Sequence, residues 1–106
     1  MQKLLIEIQH FYNCPNSPIL IERVREAIKD QDNVDYREVI VDSNEKAKEI
    51  RFRGSPTLLI NGEDFENQTE PESPALSCRY YQNGLPSVEK IKSKLSELSK
   101  DMPMSK

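Results

Sequence analysis

The sequence predicts an α/β domain built on a mixed four-stranded sheet with helices on both faces, in the order β-α-β-α-β-β-α. Three observations predict it. Short apolar, β-branched runs at 3–9, 34–41 and 57–60 read as strands. Segments with apolar residues at helical spacing separate these runs, and a helix between successive strands implies right-handed parallel crossovers. Asn61-Gly62, directly after the third run, is a strong hairpin-turn signal that adds an antiparallel pair.

Each element has its own justification. Leu4-Leu5-Ile6-Glu7-Ile8 is the core of the first strand, and His10 to Asn13 connect it to a helix. Asn16 or Ser17 suits the cap of that helix, and Pro18 suits its first turn. Ile19, Leu20, Val24, Ala27 and Ile28 then form an apolar stripe between charged residues. Gln31-Asp32-Asn33 turns the chain into the second strand, Val34 to Val41. Asp42 with Glu45 has a capping-box spacing, opening a short helix over 43–52 that Gly54-Ser55-Pro56 ends.

After Phe65 the pattern stops. Residues 66–75 hold two prolines, three glutamates and no apolar run, which predicts a mobile loop. Leu76 to Tyr81 is the candidate fourth strand. Ser87 suits the cap of a last helix, where Val88, Ile91, Leu95 and Leu98 form a narrow stripe. A single domain over 1–100 and a disordered tail at 101–106 are expected.

Composition narrows the function classes. A chain of 106 residues can bury one core without metal or disulfide staples. Its net charge is −3, with Lys and Arg interleaved among Asp and Glu, so no basic stripe points to nucleic acid. Leu4 to Ile8 is far shorter than the ~20 residues a spanning helix needs, so no membrane association is expected. The first residues enter a strand pattern and lack a signal-peptide shape, which points to the cytoplasm. Two cysteines in a reducing compartment suit redox, catalytic or metal chemistry better than a permanent staple. With His10 they are too few and too scattered for a zinc signature, so no metal site is predicted.

Chemistry centres on Cys14-Pro15-Asn16-Ser17. A cysteine between a strand and a helix sits at the positive end of the helix dipole, beside the free N–H groups of the first turn. Favourable charge interactions there reach about 2 kcal/mol, and ~1.4 kcal/mol is one pKa unit. The thiolate, favoured at such a position, is the species that attacks disulfides. A buried apolar cysteine is the plain alternative. His10 is close enough in sequence to aid a thiolate, and Arg53 and Arg79 are further candidates, although ordinary packing or solvation is the default for all three. Phe11 and Tyr12 suit either a groove or core packing.

The element order, Cys-Pro-x-Ser after the first strand and Arg53-Gly54-Ser55-Pro56-Thr57-Leu58-Leu59 at the third resemble the thioredoxin superfamily over most of residues 3–98. The pairing of Cys-Pro-x-Ser with Ser77-Cys78-Arg79-Tyr80 is also similar to a small prokaryotic thioredoxin-like group. The resemblance implies a thioredoxin-like fold and a cis Ser55–Pro56 bond lying against Cys14. It also implies a substrate site formed by Pro15, Asn16, Ser55, Pro56 and Thr57, with the backbone of Ser55 offered to an incoming extended chain. The implied activity is thiol-disulfide exchange with nucleophile Cys14, on a protein or small-molecule thiol or disulfide, by a monomer without a bound cofactor.

This chain departs from the family's Cys-x-x-Cys. Ser17 replaces the second cysteine, so it can hydrogen-bond a thiolate or cap the helix but cannot resolve a mixed disulfide. The buried acid of thioredoxins is replaced by Ile8. Three routes stay open. Cys78 resolves, although a fourth strand starting there would place it at the far end of the sheet unless the 66–75 loop folds over the site. Glutathione resolves as a co-substrate, as in monothiol glutaredoxins, although the Gly-Gly-x-Asp segment of those proteins is missing. Or nothing resolves, and the fold is a non-catalytic binding, redox-sensing or metal-binding module.

Overall fold

The structure is a computed structural model and describes residues 3–12, 14–72, 74–81 and 83–101. Its elements are β1 (Leu4–His10), α1 (Ser17–Ile28), β2 (Val34–Ile40), α2 (Asn44–Ile50), β3 (Thr57–Ile60), β4 (Glu63–Asp64) and α3 (Val88–Asp101). The expected order β-α-β-α-β-β-α is therefore observed. The sheet is mixed and four-stranded, in the spatial order β2-β1-β3-β4.

Two lengths decide its directions. Helix α1 has 12 residues, roughly 18 Å, and carries the chain most of the way back along a strand of 7 residues, roughly 23 Å. Strand β2 then runs parallel to β1, with Leu4 opposite Val34 and His10 opposite Ile40. Helix α2 has only 7 residues, roughly 10 Å, too short for a second return. The chain turns round at the same end of the sheet, and β3 runs antiparallel to β1 with Gln9 opposite Thr57. The expectation of a second parallel crossover is corrected by this short helix. One consequence is functional: the residues after β1 and those before β3 share one end of the sheet.

Alternation in β1 makes one face apolar. Leu4, Ile6 and Ile8 pack with Leu20, Val24 and Ala27 of α1 and with Ile91 and Leu95 of α3. Fully burying one such side chain contributes about 1.5–3 kcal/mol, so this cluster supplies most of the apolar stabilisation. The other face is polar beside β2, where Arg37 pairs with Glu7 at 2.6 Å and Lys3 with Asp35 at 3.5 Å. Helix α2 joins a smaller cluster in which Val41, Ala47 and Phe52 are buried, with Phe11 and Ile50 against them. Its cap is Ser43, whose hydroxyl accepts the Lys46 N–H at 3.1 Å, and not Asp42. Ser87 caps α3 as expected, accepting the Lys90 N–H.

The fourth strand is the main correction. It is Glu63–Asp64, immediately beyond Asn61-Gly62, where positive φ at both residues makes the tight turn. Leu76 to Tyr81 is not a strand. It carries an isolated bridge between Cys78 and Ser55 and lies at the site end of the sheet. The described residues of 66–75 contain no helix or strand, yet they are tied down at several points. Gln68 exchanges hydrogen bonds with Arg53, and Glu70 pairs with Arg51 and Arg53. Of the expected tail, Asp101 ends α3, while 102–106 lie outside the described residues, as does Asn13 of the first loop. Among the described residues no helix is long and apolar enough to cross a membrane.

Candidate functional site

Cys14 lies between the end of β1 and the start of α1. Its carbonyl accepts the Ser17 N–H at 3.2 Å, and its own N–H reaches the Phe11 carbonyl at 3.4 Å. Pro18 stands in the first turn of α1. This winding turns Cys14 and Ser17 inward, each only 2% exposed, while Pro15 and Asn16 remain on the surface. Asn16 occupies the cap position, but its side chain makes no capping hydrogen bond.

Ser55 faces this turn from the chain entering β3, and the Ser55–Pro56 bond is cis. The Cys14 thiol donates to the Ser55 carbonyl at 3.4 Å. The Ser55 hydroxyl lies 3.0 Å from that of Ser17 and accepts the Phe11 N–H at 3.3 Å. Thr57 is buried and turned inward, donating to the Gly54 carbonyl at 2.5 Å.

The segment bearing Cys78 completes the site. Ser55 donates its N–H to the Ser77 carbonyl at 2.8 Å and accepts the Arg79 N–H at 2.9 Å. Cys78 therefore sits beside Ser55, exposed, with its thiol acting electrostatically on Cys14. The earlier placement of Cys78 at the far end of the sheet is overturned, because residues 76–81 run alongside Gly54–Pro56 instead of forming a strand. Arg79, next in sequence, is not a solvated surface residue. It is buried and makes a bidentate pair with Asp64, at 2.6 and 2.9 Å, with both side chains 2% exposed. Its guanidinium also lies over the Tyr81 ring, 4.7 Å from the centroid. Tyr81 donates its hydroxyl proton to the Pro56 carbonyl at 2.5 Å.

Gly54 permits this approach. Its φ is +106°, and a Cβ there would stand 2.8 Å from Arg79 Cβ, so only glycine fits. The sequence showed Gly54-Ser55-Pro56 as a helix stop, but nothing local revealed the chain lying against it. Asp64 and Tyr81 were likewise missed. The one available signal was the charged Arg79 beside a cysteine.

The two thiols are polarised in opposite directions. Burial opposes ionisation of Cys14, but the Ser55 and Ser17 hydroxyls, the Asn16 backbone and the Cys78 thiol outweigh it and hold Cys14 below the usual thiol range. Burial and the neighbouring Cys14 charge push Cys78 up. Compared with known proteins, the chain matches no family model and no curated protein.

The remaining candidates are elsewhere. His10 is buried beside Glu38, with Nε2 3.7 Å from the carboxylate, and among the described residues its ring nitrogens find no hydrogen-bond partner. Arg53 binds the Gln68 carbonyl, and Phe11 packs against the α2 cluster. Tyr12 is 79% exposed at the rim of a cavity of about 540 Å³ that also borders Ser17, Pro18 and His10. Among the described residues no three His, Cys, Asp or Glu side chains gather as a metal site.

Proposed function

We propose that this chain is a thioredoxin-like thiol-disulfide oxidoreductase in which Cys14 is the nucleophile and Cys78 the resolving residue. The carrying observation is the convergence of both cysteines on Ser55, with Cys14 shifted toward thiolate and Cys78 toward thiol. A thiolate near ambient pH is the attacking species in disulfide exchange, and a neighbouring neutral thiol is a proton source. Two unpaired cysteines also suit a reducing compartment such as the cytoplasm.

The reaction runs in two displacements. The Cys14 thiolate attacks one sulfur of a substrate disulfide, forming a Cys14–substrate disulfide and releasing the other substrate sulfur as a thiolate. Cys78 then loses its proton to that leaving thiolate and attacks Cys14 sulfur. The Cys14–Cys78 disulfide forms, and the second substrate sulfur leaves. The substrate gains two electrons and the protein loses two; an external thiol reductant reverses the second change. Ser17 and Ser55 donate to the Cys14 thiolate and share no electrons.

Thiolate absorbance titrated with pH tests this directly. Wild type is expected to show one thiol ionising below the ordinary range, and stoichiometric oxidation by a small disulfide is expected to remove both thiols together in a monomer. In Cys78→Ala the same oxidant is expected to stop at a mixed disulfide on Cys14, and Cys14→Ser is expected to lose all disulfide reduction. An ordinary pKa for both thiols, with no paired loss, would leave the fold as a binding or sensing module.

A further inference from the structure

We infer that residues 76–81 form a built-in partner segment that selects the substrate, so that Cys14 serves small, low-molecular-weight disulfides and excludes cysteines held in extended polypeptides. This rests on the thiol-disulfide chemistry proposed above. An extended chain binds such an edge by pairing its backbone with a free N–H and C=O. At Ser55 both groups are already used, by Ser77 and Arg79 of the same chain. Cys78, bracketed by these two bonds, occupies the position a docked substrate cysteine would take.

The segment is held from three sides. The Arg79 guanidinium is clamped by both oxygens of Asp64, Tyr81 is bonded to the Pro56 carbonyl, and the Arg79 backbone lies against Gly54. A peptide would have to displace all three, and opening the buried ion pair leaves two desolvated charges unpaired. Beside the Cys14 turn, a cavity of about 540 Å³ is bordered by Tyr12, Ser17 and Pro18, within the size range of small-molecule sites. Its lining also carries charges of both signs, Glu22 and the Arg25–Glu38 pair at 3.0 Å, which suit a disulfide bearing ammonium and carboxylate groups. Cys14 itself is 2% exposed, which further favours a compact substrate.

The test compares two probes on the reduced full chain. One is cystine, and the other is an extended peptide whose single cysteine is joined to free cysteine as a mixed disulfide. Cystine is expected to oxidise the protein with a second-order rate constant larger by about tenfold or more, an energetic preference of ~1.4 kcal/mol. In Tyr81→Phe, which removes one of the three ties, the ratio of the peptide rate to the cystine rate is expected to rise several-fold. Amide exchange on wild type gives a readout independent of any variant: the Ser55 and Arg79 N–H groups are expected to exchange slowly. Equal rates for the two probes, or fast exchange at both amides, would overturn the built-in segment alone. Absence of reaction with either probe would overturn the thiol-disulfide proposal and this one with it.

Discussion

Cys14 and Cys78 meet at the same residue, Ser55, but their positions have different origins. Cys14 is placed by its neighbours in the chain: β1 ends, the first turn of α1 winds, and the thiol is turned inward within a few residues. Cys78 lies in a segment with no regular structure and is placed by groups far away in sequence. Asp64 holds Arg79, and Ser55 holds the backbone on either side. Local geometry gives a buried thiol that the remote Ser55 hydroxyl, with Ser17 and Asn16, shifts toward thiolate, and remote ties give an exposed thiol shifted away from it. The nucleophile's position is thus set at a single strand-to-helix junction, whereas its partner's position depends on an ion pair that the rest of the fold must keep dry.

The largest expected effect breaks the remote side of this contrast. Asp64→Asn leaves the Arg79 guanidinium buried without a counter-charge, at a cost of about 3–5 kcal/mol. Urea unfolding should show it as a lower midpoint, and an unchanged midpoint would mean that the clamp is unimportant. The pH dependence has a definite sign. Arg79 and the Gln68 and Glu66 N–H groups, working against burial, hold the Asp64 carboxyl below the usual carboxylate range. Its stabilisation is fully present above the unfolded value of ~3.9 and is lost as pH falls through the depressed folded value. Wild type should lose stability in that acid window, and Asp64→Asn should lose less.

Gly54→Ala is next. It places a Cβ 2.8 Å from Arg79 Cβ at a φ of +106°, so overpacking should cost about 1–3 kcal/mol. The 76–81 segment should be pushed off Ser55 while the Cys14 turn remains. The measurable signature is faster amide exchange at Arg79 with protection retained at Leu20, whose N–H is bonded to the carbonyl of Asn16 at the cap of α1. Uniform loss of protection would mean that the two regions are not independent.

Ser17→Ala is the smallest and touches the local side. Removing one of the hydroxyls that favour the thiolate should move the Cys14 titration back toward the ordinary thiol range. A hydrogen bond to a charged group contributes ~1.5–3 kcal/mol, and Ser55 retains part of it. At neutral pH the rate of disulfide attack should fall, and it should recover as pH rises. An unchanged titration would assign Ser17 to helix geometry alone.

Much of the α/β order was legible because it rests on near neighbours. The alternation of Leu4, Ile6 and Ile8, the helical stripe of Leu20, Val24 and Ala27, and the Asn61-Gly62 turn each act within a few residues, where periodicity and φ preference decide the outcome. The Cys14 turn belongs to this class. The run Leu76 to Tyr81 misled because its apolar and aromatic residues have a strand-like composition, while its bridge to Ser55 is isolated and extends into no ladder.

By itself, then, the sequence determined the element order, the apolar face and a cysteine at a helix start, since these follow from backbone geometry and side-chain spacing. Only the tertiary structure decided that β3 returns antiparallel, that Arg79 finds Asp64, and that Cys78 comes to rest beside Cys14. Those outcomes depend on which groups lose water together, and desolvation is a property of the assembled fold rather than of any stretch of chain.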